Sequence, residues 1–437
     1  MGGGCSGLLV AAQLFRQGFP GNITIIEPRA ALGRGLAYST PFDEHLLNVP
    51  AGKMSALPGE PSHFLDWLRA SRFPNAEPAL FAPRKVYGEY LESVLDREVK
   101  RGRFTHVRAE VTAIGSNGSI AELTLGDGST FEAVRVVLAL GNPASSPNPA
   151  PPLAERPIQW HLSPWFDDAL RLRHPGERVL LVGTGLTAVD AALALQSQDA
   201  ACQIHMLSRR GARPHVHSPG PPPARPPDFA DHRLRSMFSE LRRLIENMRQ
   251  SDLSWRMAID SLRPVSNRIW QELSAGERRQ FMRHLKTYWE THRHRMAPEV
   301  RSLMDRYEKN GAVEVVAGRL REARHCGKTI AVRIALRQGG ERLLEVDRVI
   351  NCTGIHESYV DHPRPLIGSL IQKGLACAND LGIGFRTDAN GALIDASGRS
   401  STFLFTLGPP RCGDLFETTA VPEIRTQAEA LAQHLLA

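Results

Sequence analysis

The sequence lacks a Cys-x-x-Cys pair. Its six cysteines, Cys5, Cys202, Cys326, Cys352, Cys377 and Cys412, are scattered through 437 residues. That spacing argues against a dithiol redox motif and reads as reduced thiols in a cytoplasmic protein. No apolar run approaches the roughly 18 to 20 residues a membrane-spanning helix needs, and no signal peptide stands at the start. Heptads and fixed-period repeats are missing too. Charge is not strongly one-sided: a net +7 suits anionic ligands, dinucleotides among them, or nucleic acid, and by itself dictates neither. A hydrophobic content of 42% is ordinary for a globular chain, and the length predicts two or three domains.

One more absence is local. The chain opens MGGGCSGLLVAAQLF, in which Gly2, Gly4 and Gly7 form Gly-x-Gly-x-x-Gly with only Met1 before them. Such a turn normally leaves a buried strand and enters a helix. Its glycines serve the tight turn, the close approach of a pyrophosphate, and helix–sheet packing. The expectation is therefore that the first strand is missing and that the native start lies upstream. Downstream, the pattern is complete. A helix with Leu8, Ala11, Ala12, Leu14 and Phe15 stops near Gly18, and a strand over 23–26 is followed by Glu27. An acid about 20 residues past the glycines is placed to hold a ribose hydroxyl pair. The alternative, a flexible Gly-rich terminus, does not explain Glu27.

A second turn lies in the middle. The strand 178–182 runs into Gly183-Thr184-Gly185-Leu186-Thr187-Ala188 and then an apolar helix, which is Gly-x-Gly-x-x-Ala in full strand–turn–helix context. The next strand, 202–207, ends in Ser208-Arg209-Arg210 where an NAD site would carry an acid. Arginine can pair with a 2′-phosphate that a carboxylate would repel, so NADPH is favoured over NADH. A solvated basic turn is the competing reading of Arg209 and Arg210.

Pro-rich 143–152 reads as a domain linker. The strands 135–141 and 348–354 end in Ala-Leu-Gly and Cys-Thr-Gly, as if each preceded a crossing between domains. The expected fold is α/β: two Rossmann-like dinucleotide-binding domains with a helical insert. The FAD unit would be discontinuous, 1–150 and 345–437, and the NADP unit would span 151–344. Near the C-terminus a strand, a Gly-Asp loop and a helix with Ile424, Ala428, Leu431 and Leu435 at helical spacing would cap a flavin. A plain terminal helix is the alternative.

These motifs, together with LGRGLAYSTPFDEHLLNVPAGKMSA (32–56), FAPRKVYGEYL (81–91), WETHRHRMAP (289–298) and GDLFETTAVPEIRTQA, resemble the two-dinucleotide-binding flavoprotein superfamily. More narrowly, the chain is similar to bacterial FAD/NAD(P)-binding proteins related to flavin-containing and N-hydroxylating monooxygenases. The resemblance implies that 32–56 lines the flavin, with Arg34 and Asn48 in that stretch and Arg84 beyond it, and that Val111 places its backbone near the adenine. It adds Cys5, Ser6, Gly141, Asp414, Thr418 and Thr419 to the FAD site. Thr184, Thr187 and Ser208 join the glycines and arginines of the NADP site. One departure stands out: where flavin monooxygenases carry Phe-x-Gly-x-x-x-His-x-x-x-aromatic, His161 and Trp165 are present but Glu155 and Pro157 replace the Phe and Gly. His161 reads equally well as a packed linker residue.

Residues 228–310 are charged and helical in pattern over 231–250 and 274–295, and PGPPPARPP (219–227) tethers them. Either they form a substrate cap in which Arg293 or Arg295 binds an anionic group, or they present a solvated face over an aromatic core. The reaction implied is hydride transfer from NADPH to FAD, then oxygen insertion into a nitrogen or sulfur of a small molecule. A simple NADPH-dependent flavin reductase, an electron-transfer protein and a non-catalytic nucleotide sensor are the alternatives. No nucleic acid, membrane or metal partner is expected.

Overall fold

The computed structural model describes residues 1–117, 120–142, 160–166, 168–218, 225–229, 231–354, 358–360, 362 and 364–437. The Pro-rich linker at 143–152, the departures at Glu155 and Pro157, and most of the tether at 219–227 lie outside them.

The helix Cys5–Arg16 is apolar on every side because it is covered on every side. Leu8, Leu9, Val10, Ala11, Ala12, Leu14 and Phe15 are all buried in one core shared with the helices Arg84–Glu98 and Val421–Leu436. It ends where the sequence predicts: Gly18 adopts φ +79°, and the Phe19 amide returns to the Leu14 carbonyl. The strand Asn22–Ile26 follows and pairs in parallel with Arg103–Val107. The strand Val136–Leu138 pairs in parallel with Ser400–Thr406, so one small sheet joins chain segments far apart in sequence. Met1 and Gly2 lie between these two sheets. The Met1 ammonium donates to the Val137 carbonyl, its carbonyl accepts from the Ala139 amide, and the Gly2 amide donates to the Ile26 carbonyl, each at 2.9 Å.

The second sheet has seven strands among the described residues. Within it Arg178–Val182 lies parallel to both Gln203–Ser208, the central strand, and Arg348–Asn351. This revises the expected boundary at 345. Residues 348–351 belong to the second sheet, in register with Arg178–Val182, and the return to the first sheet comes later. The reason is burial on both faces. All four residues are buried, and Arg348 is accommodated because its guanidinium meets Glu177 at 2.8 Å and the carbonyls of Ala169 and Arg171.

The insert is helical but more broken than its pattern implies. Leu234–Gln250 is one helix. The second stretch divides at Leu285 into Ala275–His284, opened by a Ser274/Glu277 capping box, and Lys286–Arg293. The helix Pro298–Lys309 packs instead against Leu186–Gln198 and belongs with the second sheet. The insert's apolar cluster is small (Phe229, Met237, Leu262, Trp270 and Leu273) and is completed from outside by Leu381 and Phe416.

Candidate dinucleotide sites

The two glycine turns are built alike. At the first, Gly4 caps the helix with φ −77° and ψ −168°; at the second, Gly185 does so with φ −78° and ψ −173°. Neither cap carries a side-chain hydrogen bond, and among the described residues no side chain accepts from the first-turn amides of either helix, the arrangement that receives a phosphate. Close packing explains the other glycines. A Cβ on Gly7 would stand 2.0 Å from the Gly2 carbonyl oxygen, and one on Gly4 would stand 3.2 Å from Gly35 Cα. At Gly185 and Gly141 an added Cβ would meet nothing within 4 Å, which leaves the backbone open to a ligand.

Glu27 lies where the first site needs it. Its Oε2 accepts from the Gly3 amide at 2.8 Å, and its Oε1 accepts from the Arg29 amide and Nε. Burial pushes its carboxyl up, but the bonds from Arg29 and Gly3 and the Arg29 charge outweigh this and hold it below the usual range. Cys5, Ser6 and Gly7 begin the first helix beside the turn that leads to the last one. A Cβ on Gly408 would lie 3.2 Å from Ser6 Oγ, and the Gly408 amide donates to Gln427 in the closing helix. Just before that helix, the Thr418 hydroxyl is fully buried with no hydrogen-bond partner among the described residues, while Thr419 is exposed. An orphaned hydroxyl at the approach to a helix start fits a group that accepts or donates there. Asp414 is engaged by a distant segment, accepting from the Thr387 amide and hydroxyl, and its carboxyl is pushed up by burial.

The other residues expected at the FAD site have protein partners. Arg34 makes a bidentate pair with Glu92 at 2.7 and 2.8 Å. Arg84 donates to the Leu46 carbonyl and pairs with Asp190 of the helix Leu186–Gln198 at 2.7 Å. The Asn48 carbonyl accepts from His217 Nε2 at 3.0 Å, and Val111 is buried at the start of its strand. Arg84, Asn48 and their partners thus hold the two sheet units together. A neighbour that the sequence did not single out, His45, is fully buried and does the same: its ring bonds Thr40 and the Asp190 carbonyl. Burial holds its imidazole below the usual range, and it packs edge-on to Trp165.

At the second turn, Thr184 donates to Ser208 Oγ at 2.8 Å, and Ser208 Oγ accepts from the Gly211 amide at 3.0 Å. Both hydroxyls therefore shape the loop 208–212 next to the glycines. Thr187 is half-buried in the first turn of the helix. Arg209 and Arg210 stand exposed at the strand end, and the Arg210 guanidinium lies 4.6 Å over the Tyr288 ring of the insert. The residues present fit two dinucleotides.

Of the two insert arginines, Arg295 is committed. It is 3% exposed, forms a bidentate pair with Asp260 at 2.9 Å, donates to the His292 carbonyl, and lies over Trp255. A substrate anion would have to displace that carboxylate, so the reading of Arg295 as a substrate ligand is withdrawn. Arg293 pairs with Glu417 at 3.2 Å and keeps a buried Nε without a partner among the described residues. The insert does reach the segment 413–417 ahead of the closing helix. Phe416 stacks on Trp270 at 4.7 Å and meets Phe281 and Trp289, Trp270 Nε1 donates to the Gly413 carbonyl, and Trp289 Nε1 donates to Glu417. No sequence periodicity links 270–289 to 413–417, which is why this clamp is visible only in three dimensions.

Residues 1–143 match a family model described as FAD-NAD(P)-binding. No curated protein matches the chain. Among solved structures, it is similar to the ornithine N-hydroxylase of Kutzneria sp. 744, described with reduced FAD, NADP+ and L-ornithine (17% identity, 100% of this chain, 97% of that one, TM-score 0.68). It is also similar to L-lysine 6-monooxygenase of Pseudomonas syringae (16%, 100% and 97%, 0.66). Bacillithiol disulfide reductase of Staphylococcus aureus is a further relative in shape (14%, 100% and 96%, 0.57). At these identities the likeness establishes the fold, which is that of the two-dinucleotide-binding flavoproteins, as expected from the glycine turns.

Proposed function

We propose that this chain is an FAD- and NADPH-dependent oxidoreductase of the monooxygenase kind, acting on a small molecule in the cytoplasm. One observation carries the reading. Two uncapped glycine helix starts stand in one chain, the first followed by a buried carboxylate, Glu27, and the second by two exposed arginines, Arg209 and Arg210. The carboxylate suits free ribose hydroxyls and the arginines suit a ribose phosphate. When bound, the pair supplies hydride transfer and oxygen activation; the protein's part is to bind, orient and exclude water. The Arg84–Asp190 and His45–Asp190 contacts tie the helix that follows the second turn to segments of the first unit, and orientation of two rings requires such a tie. The insert, clamped on 413–417, lies beside the segment read as capping the flavin, and Arg293, paired with Glu417 but keeping a buried Nε without a partner among the described residues, is the candidate for an anionic substrate group.

The N-hydroxylating relatives in shape favour an amine as the oxygen acceptor. A reductase reading also has relatives in shape, but no two cysteines are paired among the described residues, and burial pushes the Cys5 thiol up to about 12, so it stays protonated. The test is direct. The purified protein, reconstituted with FAD, is reduced anaerobically with NADPH and then given oxygen and a panel of amines, thioethers and ketones. Bleaching followed by hydroxylated product is expected. Flavin that NADPH never reduces would point to a nucleotide sensor, and reduction yielding only peroxide to a reductase or oxidase.

A further inference from the structure

We propose that Tyr288, in the helical insert, is a positioning residue for the 2′-phosphate of the pyridine coenzyme. The proposal rests on the NADPH reading of Arg209 and Arg210 and names what holds one of them in place.

Exposed arginines at a strand end are mobile, and ordering a long side chain costs part of what its hydrogen bonds return. Arg210 is relieved of some of that cost. Its guanidinium carbon lies 4.6 Å from the Tyr288 ring centroid, within the range where a ring face attracts a cation. Stacking leaves the edge of the guanidinium, with its N–H donors, free to meet a phosphate. Tyr288 is itself half-exposed, so hydrophobic burial is not what places it there.

The ring is carried on a helix fastened to the recognition loop. Lys286–Arg293 and the residues that follow it are joined to the segment after Arg210 by main-chain hydrogen bonds: the His215 amide to the Thr291 carbonyl within the helix, and, just past its end, the Met296 amide to the His215 carbonyl and the His217 amide to the Met296 carbonyl, at 2.9 to 3.0 Å. The His292 ring, one helical turn after Tyr288, packs on His215 at 4.5 Å. The Tyr288 ring therefore holds a set position relative to the loop 208–217. The same helix contributes Trp289 to the clamp on Phe416. One insert helix thus touches the coenzyme arginine on one side and the flavin-capping segment on the other.

The experiment uses the full-length holoprotein and two probes that differ only in the relevant phosphate, adenosine 2′,5′-bisphosphate and 5′-AMP. Binding is measured for the wild type, Tyr288→Ala and Tyr288→Phe. At about 0.5–1 kcal/mol for an exposed cation–ring pair, Tyr288→Ala should weaken the bisphosphate roughly two- to fivefold and leave 5′-AMP unchanged. Tyr288→Phe should keep the wild-type preference. If the wild type favours the bisphosphate and Tyr288→Ala retains that preference in full, or loses both probes equally, the role of Tyr288 is overturned while the arginine reading stands. If the wild type does not discriminate, the arginine reading falls and Tyr288 with it.

Discussion

Gly2 and Gly183 occupy equivalent places in two halves of the chain. The Gly2 amide donates to the Ile26 carbonyl at 2.9 Å and the Gly183 amide to the Leu207 carbonyl at 2.7 Å. A Cβ on either would strike a strand-end carbonyl, Ala139 at 2.3 Å and Cys352 at 2.4 Å. The Ala139 amide in turn bonds Met1, as the Cys352 amide bonds Val182. The Ala-Leu-Gly and Cys-Thr-Gly endings are thus the walls against which the two turns close.

This separates two kinds of glycine. Gly183→Ala and Gly7→Ala force a clash with backbone and should lower stability by roughly 1–3 kcal/mol, read as a fall in Tm. Gly185→Ala meets nothing and should fold normally. It should still weaken NADPH at least tenfold, measured by titration, because the methyl fills the space the phosphate uses.

Replacing Arg209 and Arg210 together by Ala should weaken NADPH roughly ten- to hundredfold, at about 1.5–3 kcal/mol for hydrogen bonds to charged groups. NADH binding should change little. Equal losses for both coenzymes would refute the assignment.

Asp190 accepts Arg84 at 2.7 Å while nearly buried. Asp190→Asn leaves Arg84 unpaired and should cost about 3 kcal/mol in denaturant unfolding. The same change should slow flavin reduction by NADPH in stopped-flow traces, because it loosens one turn against the other.

Arg295 and Arg293 should part ways. Arg295→Ala removes a buried guanidinium from its bidentate pair with the part-exposed Asp260 and should destabilise the fold by about 1–2 kcal/mol. Arg293→Gln leaves the buried Glu417 without its guanidinium and should lower Tm at least as much, while also raising KM for an anionic substrate.

His217 gives a pH dependence. Burial lowers its pKa from 6.5 to about 4 while its Nε2 donates to the Asn48 carbonyl. The folded state therefore resists a proton that the unfolded state accepts. Its contribution is present above about pH 6.5 and is lost as pH falls toward 4. Thermal melts across that window should show a steeper acid-side decline for the wild type than for His217→Gln.

Much of the site was legible in the sequence because glycine turns are local. Four to six residues, a preceding or following strand and one side chain at its end are enough to specify each nucleotide cradle. Glu27, Gly185 and Arg209 are candidates reached that way. Arg295 could not be judged, because its partner Asp260 is 35 positions away and no spacing rule joins them. Nor could the place of 348–351, since a short apolar strand fits either sheet until its hydrogen bonds are paired.

The amino-acid sequence by itself determined the two cradles, their opposite charges and the helices that follow them, because each depends on backbone freedom and periodicity within about 30 residues. Only the tertiary structure decided which arginines remain free, which strands share a sheet, and how the insert grips Phe416 while presenting Tyr288 to Arg210. Those outcomes depend on contacts between distant segments, whose energies exist only once the chain has closed on itself.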